Sequence, residues 1–112
     1  MCRVKIRGGR VTGKELNYNG SISIDAQILE RSDLVPGEMV DVLNLSNGAR
    51  ITTYIIEGRR GTGEISLNGP AARFFEIGDE IVVLCTCLVD SNERENWNMR
   101  VISLSNGNRE IS

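Results

Sequence analysis

The stretch Tyr18-Asn19-Gly20-Ser21-Ile22-Ser23-Ile24-Asp25 sets a serine hydroxyl next to a glycine carbonyl, between the strand-like runs Glu15–Tyr18 and Ile22–Ile24. Gly20 lacks the Cβ that forbids positive φ, so it suits a strained turn. Its carbonyl is then open to attack, and the nearest nucleophile is the Ser21 hydroxyl. A Gly-Ser pair alone is ordinary turn chemistry. The chain contains no histidine, which removes Ser-His and Cys-His catalysis outright. A zinc site would have to draw on carboxylates or on another subunit, and no metal is expected. Any enzyme chemistry must therefore come from a different source.

Composition narrows the classes further. The 112 residues suffice for one domain, 1–112, with a modest core. With 13 basic and 15 acidic residues the net charge is −2, so no strong field for nucleic acid or an anionic membrane arises. Aromatics are 4% of the chain, too few for a base-stacking platform. No apolar run approaches the roughly 20 residues of a membrane span, and no signal peptide is read at the start. The expectation is a cytoplasmic protein that engages neither nucleic acid nor membrane. The odd cysteine count (Cys2, Cys85 and Cys87) argues against a secreted disulfide scaffold. Cys85 and Cys87 lie two apart in a β-like run and are expected on one face, as buried small hydrophobes.

The elements that must position Gly20 and Ser21 are mostly strands. Arg3–Arg7 alternates charged and apolar residues before a break at Gly8-Gly9, and a second short strand ends near Thr12. Asp25 is placed to cap a short helix from Ala26 to about Arg31. Pro36-Gly37-Glu38 turns the chain into a strand over Met39–Asn44, and Ser46-Asn47-Gly48 signals a hairpin leading to Arg50–Glu57. A Gly/Arg-rich loop, Gly58–Gly63, precedes a strand over Glu64–Leu67. A second short helix is predicted over Pro70–Phe75, then a long strand over Glu80–Val89. A polar loop, Asp90–Asn96, leads to a strand over Asn98–Leu104, and the end is expected to fray. Val35-Pro36-Gly37-Glu38-Met39-Val40 matches Glu76-Ile77-Gly78-Asp79-Glu80-Ile81 in kind, each following a helix and opening a strand. Such a repeat suggests a pseudo-twofold barrel.

Leu16-Asn17-Tyr18-x-Gly20-Ser21-x-x-Ile24-Asp25 resembles the self-cleavage site of the pyruvoyl-dependent aspartate 1-decarboxylases. Further matches fall, in order and spacing, at Asn47-Gly48-Ala49-Arg50 with Thr53-Tyr54, at Glu57-Gly58-x-Arg60-Gly61, at Leu67-Asn68-Gly69-x-Ala71-Ala72-Arg73 and at Gly78-Asp79. The resemblance extends from about Lys5 to Leu88. It implies a mainly β chain folded as a small six-stranded double-psi β-barrel with short helices. It also implies cleavage between Gly20 and Ser21 into pieces 1–20 and 21–112, with Ser21 becoming a pyruvoyl group and no external cofactor. That group condenses with the amine of L-aspartate as a Schiff base and takes up electrons as CO₂ leaves, giving β-alanine for pantothenate synthesis.

By the same resemblance, Lys5 and Arg50 are the substrate-binding cations, Arg50 able to grip a carboxylate with two N–H groups and Lys5 acting as a point charge. Tyr54 resembles the proton donor. Thr53 resembles a helper in cleavage and substrate contact. Alternation sets Arg50, Thr52 and Tyr54 on one strand face and Thr53 on the other, so Thr53 requires a bulge or twist, or works through its backbone. Asn68, Gly69, Pro70 and Ala71 resemble the substrate-contacting turn. Pro70 stands where the family usually has Ala and has no N–H to donate. Arg7 stands where His is frequent, and Leu43 where a bulkier side chain occurs. The resemblance further implies a homotetramer with active sites shared between subunits. The competing reading, from another class, is a small β-barrel that never cleaves and serves as a binding or interaction module.

Overall fold

The computed structural model describes residues 1–112. The chain is mainly β, with nine strands in one mixed sheet ordered β2-β6-β3-β5-β4-β7-β1-β8-β9. In chain order these are β1 (Cys2–Arg10), β2 (Gly13–Glu15), β3 (Ser21–Asp25), β4 (Met39–Asn44), β5 (Arg50–Gly58), β6 (Ile65–Asn68), β7 (Glu80–Thr86), β8 (Arg100–Ser105) and β9 (Glu110–Ile111). The single α-helix, α1 (Ala26–Ser32), follows β3, and 3₁₀ turns cover Gly69–Phe74 and Ser91–Asn96. No helix is long and apolar enough to cross a membrane.

Alternation sorts the strands into an inner and an outer face. Val4 and Ile6 of β1, Ile22 and Ile24 of β3, Val40 and Val42 of β4, and Ile81 and Val83 of β7 meet in one core with Phe75. These branched residues suit the pleated surface, where stiff side chains lose little freedom on packing. β1 and β2 are one run of chain whose two parts pair at opposite ends of the strand order. Between them, Val11 N–H donates to the Asp79 carbonyl and Thr12 N–H to the Ile65 carbonyl, so residues 2–15 are bonded to β7 at one end and to β6 at the other.

The internal repeat has a structural counterpart. Gly37 and Gly78 share φ values of +95° and +94°, a conformation that glycine adopts without steric cost. Glu38 N–H donates to the Val35 carbonyl and Asp79 N–H to the Glu76 carbonyl. In return a Glu38 carboxylate oxygen accepts from Val35 N–H, and one of Asp79 accepts from Glu76 N–H. The strands these turns open, β4 and β7, pair antiparallel.

Several boundaries differ from expectation. β1 passes through Gly8-Gly9 instead of breaking, absorbing the pair as a register shift between Ile6 and Gly9. The strand expected over Glu15–Tyr18 ends at Glu15, and the chain then bends to Gly20. β7 ends at Thr86, so Cys87 lies past the strand and is half-exposed while Cys85 is buried. Burial pushes the Cys85 thiol up, leaving it protonated and inert. The loop expected over Asp90–Asn96 contains a 3₁₀ turn with a capping box between Asp90 and Glu93. The C-terminus is paired rather than frayed. Ser103 and Ser112 exchange backbone bonds, and the buried Asn108 ties the Arg10 backbone to the Gly63 carbonyl.

Candidate active site

Ser21 opens β3 and is fully buried. Across the antiparallel ladder it faces Asn68, the last residue of β6. Since the partners Ile22, Ile55 and Leu67 all point into the core, Ser21, Ser23 and Asn68 share the opposite face. There the Ser21 hydroxyl donates to the Asn19 carbonyl at 3.2 Å. The Asn68 amide nitrogen donates to Ser21 Oγ at 3.1 Å and to Ser23 Oγ at 3.0 Å. No buried side-chain polar atom lacks a partner.

The strained glycine at this site is not Gly20, whose φ is not positive, but Gly69 at +75°. A Cβ at Gly69 would stand 2.7 Å from Gly20 Cα and 2.8 Å from both Gly20 N and the Tyr18 carbonyl oxygen. Only glycine lets the start of the 3₁₀ turn lie against the 18–20 segment. Pro70 and Ala71 follow in the first turn, and a Cβ built on Gly20 would meet Pro70 Cδ at 4.0 Å. Pro70 therefore offers apolar contact beside the Gly20–Ser21 bond, where an alanine would add an N–H.

The remaining candidates lie on β5 and beyond. β5 pairs with β4 in continuous register, so no bulge turns Thr53. Its side chain is buried on the inner face, and its backbone pairs with Val40 of β4. Tyr54 and Arg50 are exposed on the outer face. Arg50 donates to Asp41 at 2.7 Å, and the Thr52 hydroxyl donates to the other Asp41 oxygen at 2.6 Å. The Thr52 hydroxyl, then Arg50, hold the Asp41 carboxyl below its usual range. The ladders Lys5–Leu84, Leu84–Asp41 and Asp41–Thr52 put Lys5 in a row with this pair. β1 is four steps from β3 in the strand order, about 19 Å measured along the sheet at ~4.8 Å per strand. The fold thus gathers Gly20, Ser21, Asn68, Gly69, Pro70 and Ala71 into one cluster, with Tyr54 next to Ser21 because β5 pairs directly with β3 in the register Ile22–Ile55. Arg50 lies further along β5, and Lys5 lies across the sheet on β1.

Two neighbours of these residues escaped the sequence reading. Ser23 was signalled by the alternation Ser21-Ile22-Ser23-Ile24, which puts both hydroxyls on one face. Asp41 was signalled only by a polar residue between Val40 and Val42; its partners depend on the hairpin register. Asp25, expected only as a helix cap, does more. Its carboxylate accepts from Gln27 N–H at 2.8 Å, from Gly61 N–H at 3.0 Å and from Gly63 N–H at 2.8 Å. Burial alone would raise its pKa, but these bonds, helped by Arg60, outweigh it and hold the carboxyl low.

Residues 1–111 match the aspartate decarboxylase family. The chain is 43% identical over 112 residues to an aspartate 1-decarboxylase of Thermoanaerobacter pseudethanolicus, covering all of this chain and 96% of that protein. It is 43% identical over 109 residues to one of Carboxydothermus hydrogenoformans, covering 97% and 86% of the two chains. The same identity holds over 108 residues with one of Staphylococcus aureus, covering 96% and 85%. With the match spanning essentially the whole of each partner and including the cluster around Ser21, the chain belongs to the aspartate decarboxylase family.

Proposed function

We propose that this protein decarboxylates L-aspartate to β-alanine and CO₂, using a pyruvoyl group made from its own Ser21. The observation that carries the reading is the packing of Gly69 and Asn68 on the Gly20–Ser21 bond, in a chain that matches a pyruvoyl-dependent family from end to end. Residues present at Ser21 suit such a group: an amide N–H is aimed at its oxygen.

Self-processing needs only the chain. Ser21 Oγ attacks the Gly20 carbonyl carbon, the C–N bond breaks, and the Ser21 nitrogen takes up the hydroxyl proton, leaving an ester. The Cα proton then passes to a solvent base, Cβ–Oγ breaks, and the electron pair stays with Oγ in the new Gly20 carboxylate. Water replaces the nitrogen of the dehydrated residue, ammonia leaves, and the pieces are 1–20 and 21–112. Once formed, the pyruvoyl carbonyl supplies an electron sink for the carbon that loses CO₂.

The protein's own side chains do the rest. Arg50, steadied by Asp41, and Lys5 hold the side-chain carboxylate of aspartate more firmly than the α-carboxylate, because gripping the group that leaves would stabilise the ground state. Tyr54 returns a proton to the substrate carbon. Thr53 contributes through its backbone, and Asn68, Gly69, Pro70 and Ala71 line the substrate's contact turn. The separation of Lys5 from Ser21, four strands across the sheet, supports a homotetramer in which neighbouring copies complete each site. Residues 2–15 bridging β6 and β7, and the matched turns at Gly37 and Gly78, support a six-stranded double-psi barrel. A cytoplasmic location accords with a small-molecule biosynthetic enzyme.

Intact mass spectrometry on aged protein, with an assay for β-alanine, tests the reading. The expected result is a 20-residue and a 92-residue piece, the larger beginning with pyruvoyl, and activity that tracks cleavage. Ser21→Ala is expected to stay whole and inactive. A Ser21→Ala protein that cleaves or turns over aspartate would refute the mechanism. A wild-type chain that remains intact after prolonged warming would favour a barrel that binds without processing.

A further inference from the structure

Ser23 has no role in the chemistry above, yet it is buried on the same face as Ser21 and shares a hydrogen-bond donor with it. The Ser21 hydroxyl has one proton, and that proton is directed at the Asn19 carbonyl. Towards Asn68, Ser21 Oγ can then only accept, which fixes the amide with its nitrogen end inward. An amide nitrogen has two hydrogens in one plane. With one on Ser21 Oγ at 3.1 Å and the other on Ser23 Oγ at 3.0 Å, both are used and the plane is set. The Asn19 carbonyl decides which end of the amide faces inward, and Ser23 decides its angle.

We propose that Ser23 is a positioning residue for self-processing: it holds the Asn68 amide so that one N–H stays on Ser21 Oγ while the ester breaks. The proposal rests on self-cleavage at Ser21. Donation to Oγ does little for attack, since it draws on the lone pairs of the nucleophile. It matters in the later step. As Cβ–Oγ breaks, the bonding pair moves onto Oγ, the Cα proton goes to a solvent base, and Cα=Cβ forms. Negative charge collects on an oxygen that already carries a fixed donor, so no reorganisation is needed as the charge appears. Without Ser23, the buried amide has one unpaired N–H and turns to satisfy it, leaving Oγ.

The test compares processing in wild type, Ser23→Ala, Asn68→Ala and the double variant, purified uncleaved and then warmed. Samples withdrawn with time are treated with hydroxylamine and weighed intact. Hydroxylamine opens the ester to a 1–20 hydroxamate and a 21–112 piece that begins with serine, and it converts the pyruvoyl ketone to an oxime. The hydroxamate is distinguished in mass from the 1–20 carboxylate that elimination leaves. Ser23→Ala is expected to form pyruvoyl on the order of tenfold more slowly, and Asn68→Ala on the order of a hundredfold more slowly. The trapped serine-terminated piece should rise in both. In the Asn68→Ala background, removing Ser23 should add nothing. A purely structural defect would slow processing without raising the trapped ester, and that result overturns the proposal. So does an unchanged rate in Ser23→Ala, or an additive effect in the double variant. A wild type that never cleaves sinks the processing reading itself, a result distinguishable from all of these.

Discussion

At the scale of single residues, the proposed function divides the site into groups that make the catalyst and groups that use it, and substitution should separate them. Tyr54 is exposed on the outer face of β5, beside Ser21 in the β3–β5 register, but the Ser21 hydroxyl bonds to Asn19 and Asn68 and not to it. Tyr54→Phe should therefore cleave at the wild-type rate yet lose about a hundredfold or more in kcat, the usual worth of a positioned general acid. Mass spectrometry and a β-alanine assay on the same sample measure both, and wild-type turnover would remove Tyr54 from the mechanism. Gly69 belongs to the other group. Adding a methyl sets a carbon 2.7 Å from Gly20 Cα, backbone against backbone, at a φ of +75°. Neither side yields cheaply, so Gly69→Ala should cost about 1–3 kcal/mol in backbone strain and slow cleavage by moving the 18–20 segment. A thermal melt with a cleavage time course checks both effects. Unaltered cleavage would mean that the close approach is incidental.

At the scale of elements, Asp25 joins three pieces of structure through one carboxylate: the end of β3, the start of α1 and the 59–63 loop. Its pKa is lowered in the folded chain. The stability it contributes is therefore complete above the unfolded value of about 3.9 and lost as pH falls through the folded value. Asn in its place turns an NH₂ towards backbone donors. Asp25→Asn should be less stable at neutral pH by about 1–3 kcal/mol, with a flatter loss of stability below about pH 4. Chemical denaturation at pH 7, 4 and 3 gives the slope, and a variant with the wild-type acid limb would show that other carboxylates set it. Asp25 also marks how far the elements were legible. Its cap and α1 follow from local sequence, as does the hairpin between β4 and β5, because side-chain chemistry close in the chain decides them. The two partners of Asp25 at Gly61 and Gly63 were hidden, since they depend on a loop closing from more than thirty residues away. β1 was misjudged at Gly8-Gly9 for a related reason. Pairing with β7 and β8 on either side outweighs the intrinsic cost of glycine in a strand. In the site, the motif located Ser21 and Asn68, whereas the strain was assigned to Gly20 when it sits at Gly69. No local rule reports which of two touching glycines bends.

At the scale of the whole molecule, the surface that holds Lys5 and Arg50 is also the least covered face of the sheet. Met39, Tyr54 and Val101 are exposed there, at 58, 37 and 46%, and Leu84 sits half-exposed between Lys5 and Asp41. Within β7, Ile81, Val83 and Cys85 are core residues while Val82 and Leu84 turn outward, and Leu88 past the strand is fully exposed. An exposed apolar patch mixed with the cations of the proposed site is what a shared interface would use. If each site joins Ser21 of one copy to Arg50 and Lys5 of another, two defective chains can repair one another. Ser21→Ala lacks the catalyst but retains Arg50, while Arg50→Ala cleaves but lacks the carboxylate grip. Expressed separately, both should be inactive. Co-expressed in equal amounts, random assembly should restore about a quarter of the sites, because half the copies supply each intact residue to a neighbour. The comparison is activity per total chain in the mixed oligomer against wild type, with the assembly size measured by light scattering. Recovery requires residues from different chains, since neither variant contains both. A mixed oligomer with no activity would mean that Ser21 and Arg50 must come from one chain, where their strands β3 and β5 are direct neighbours.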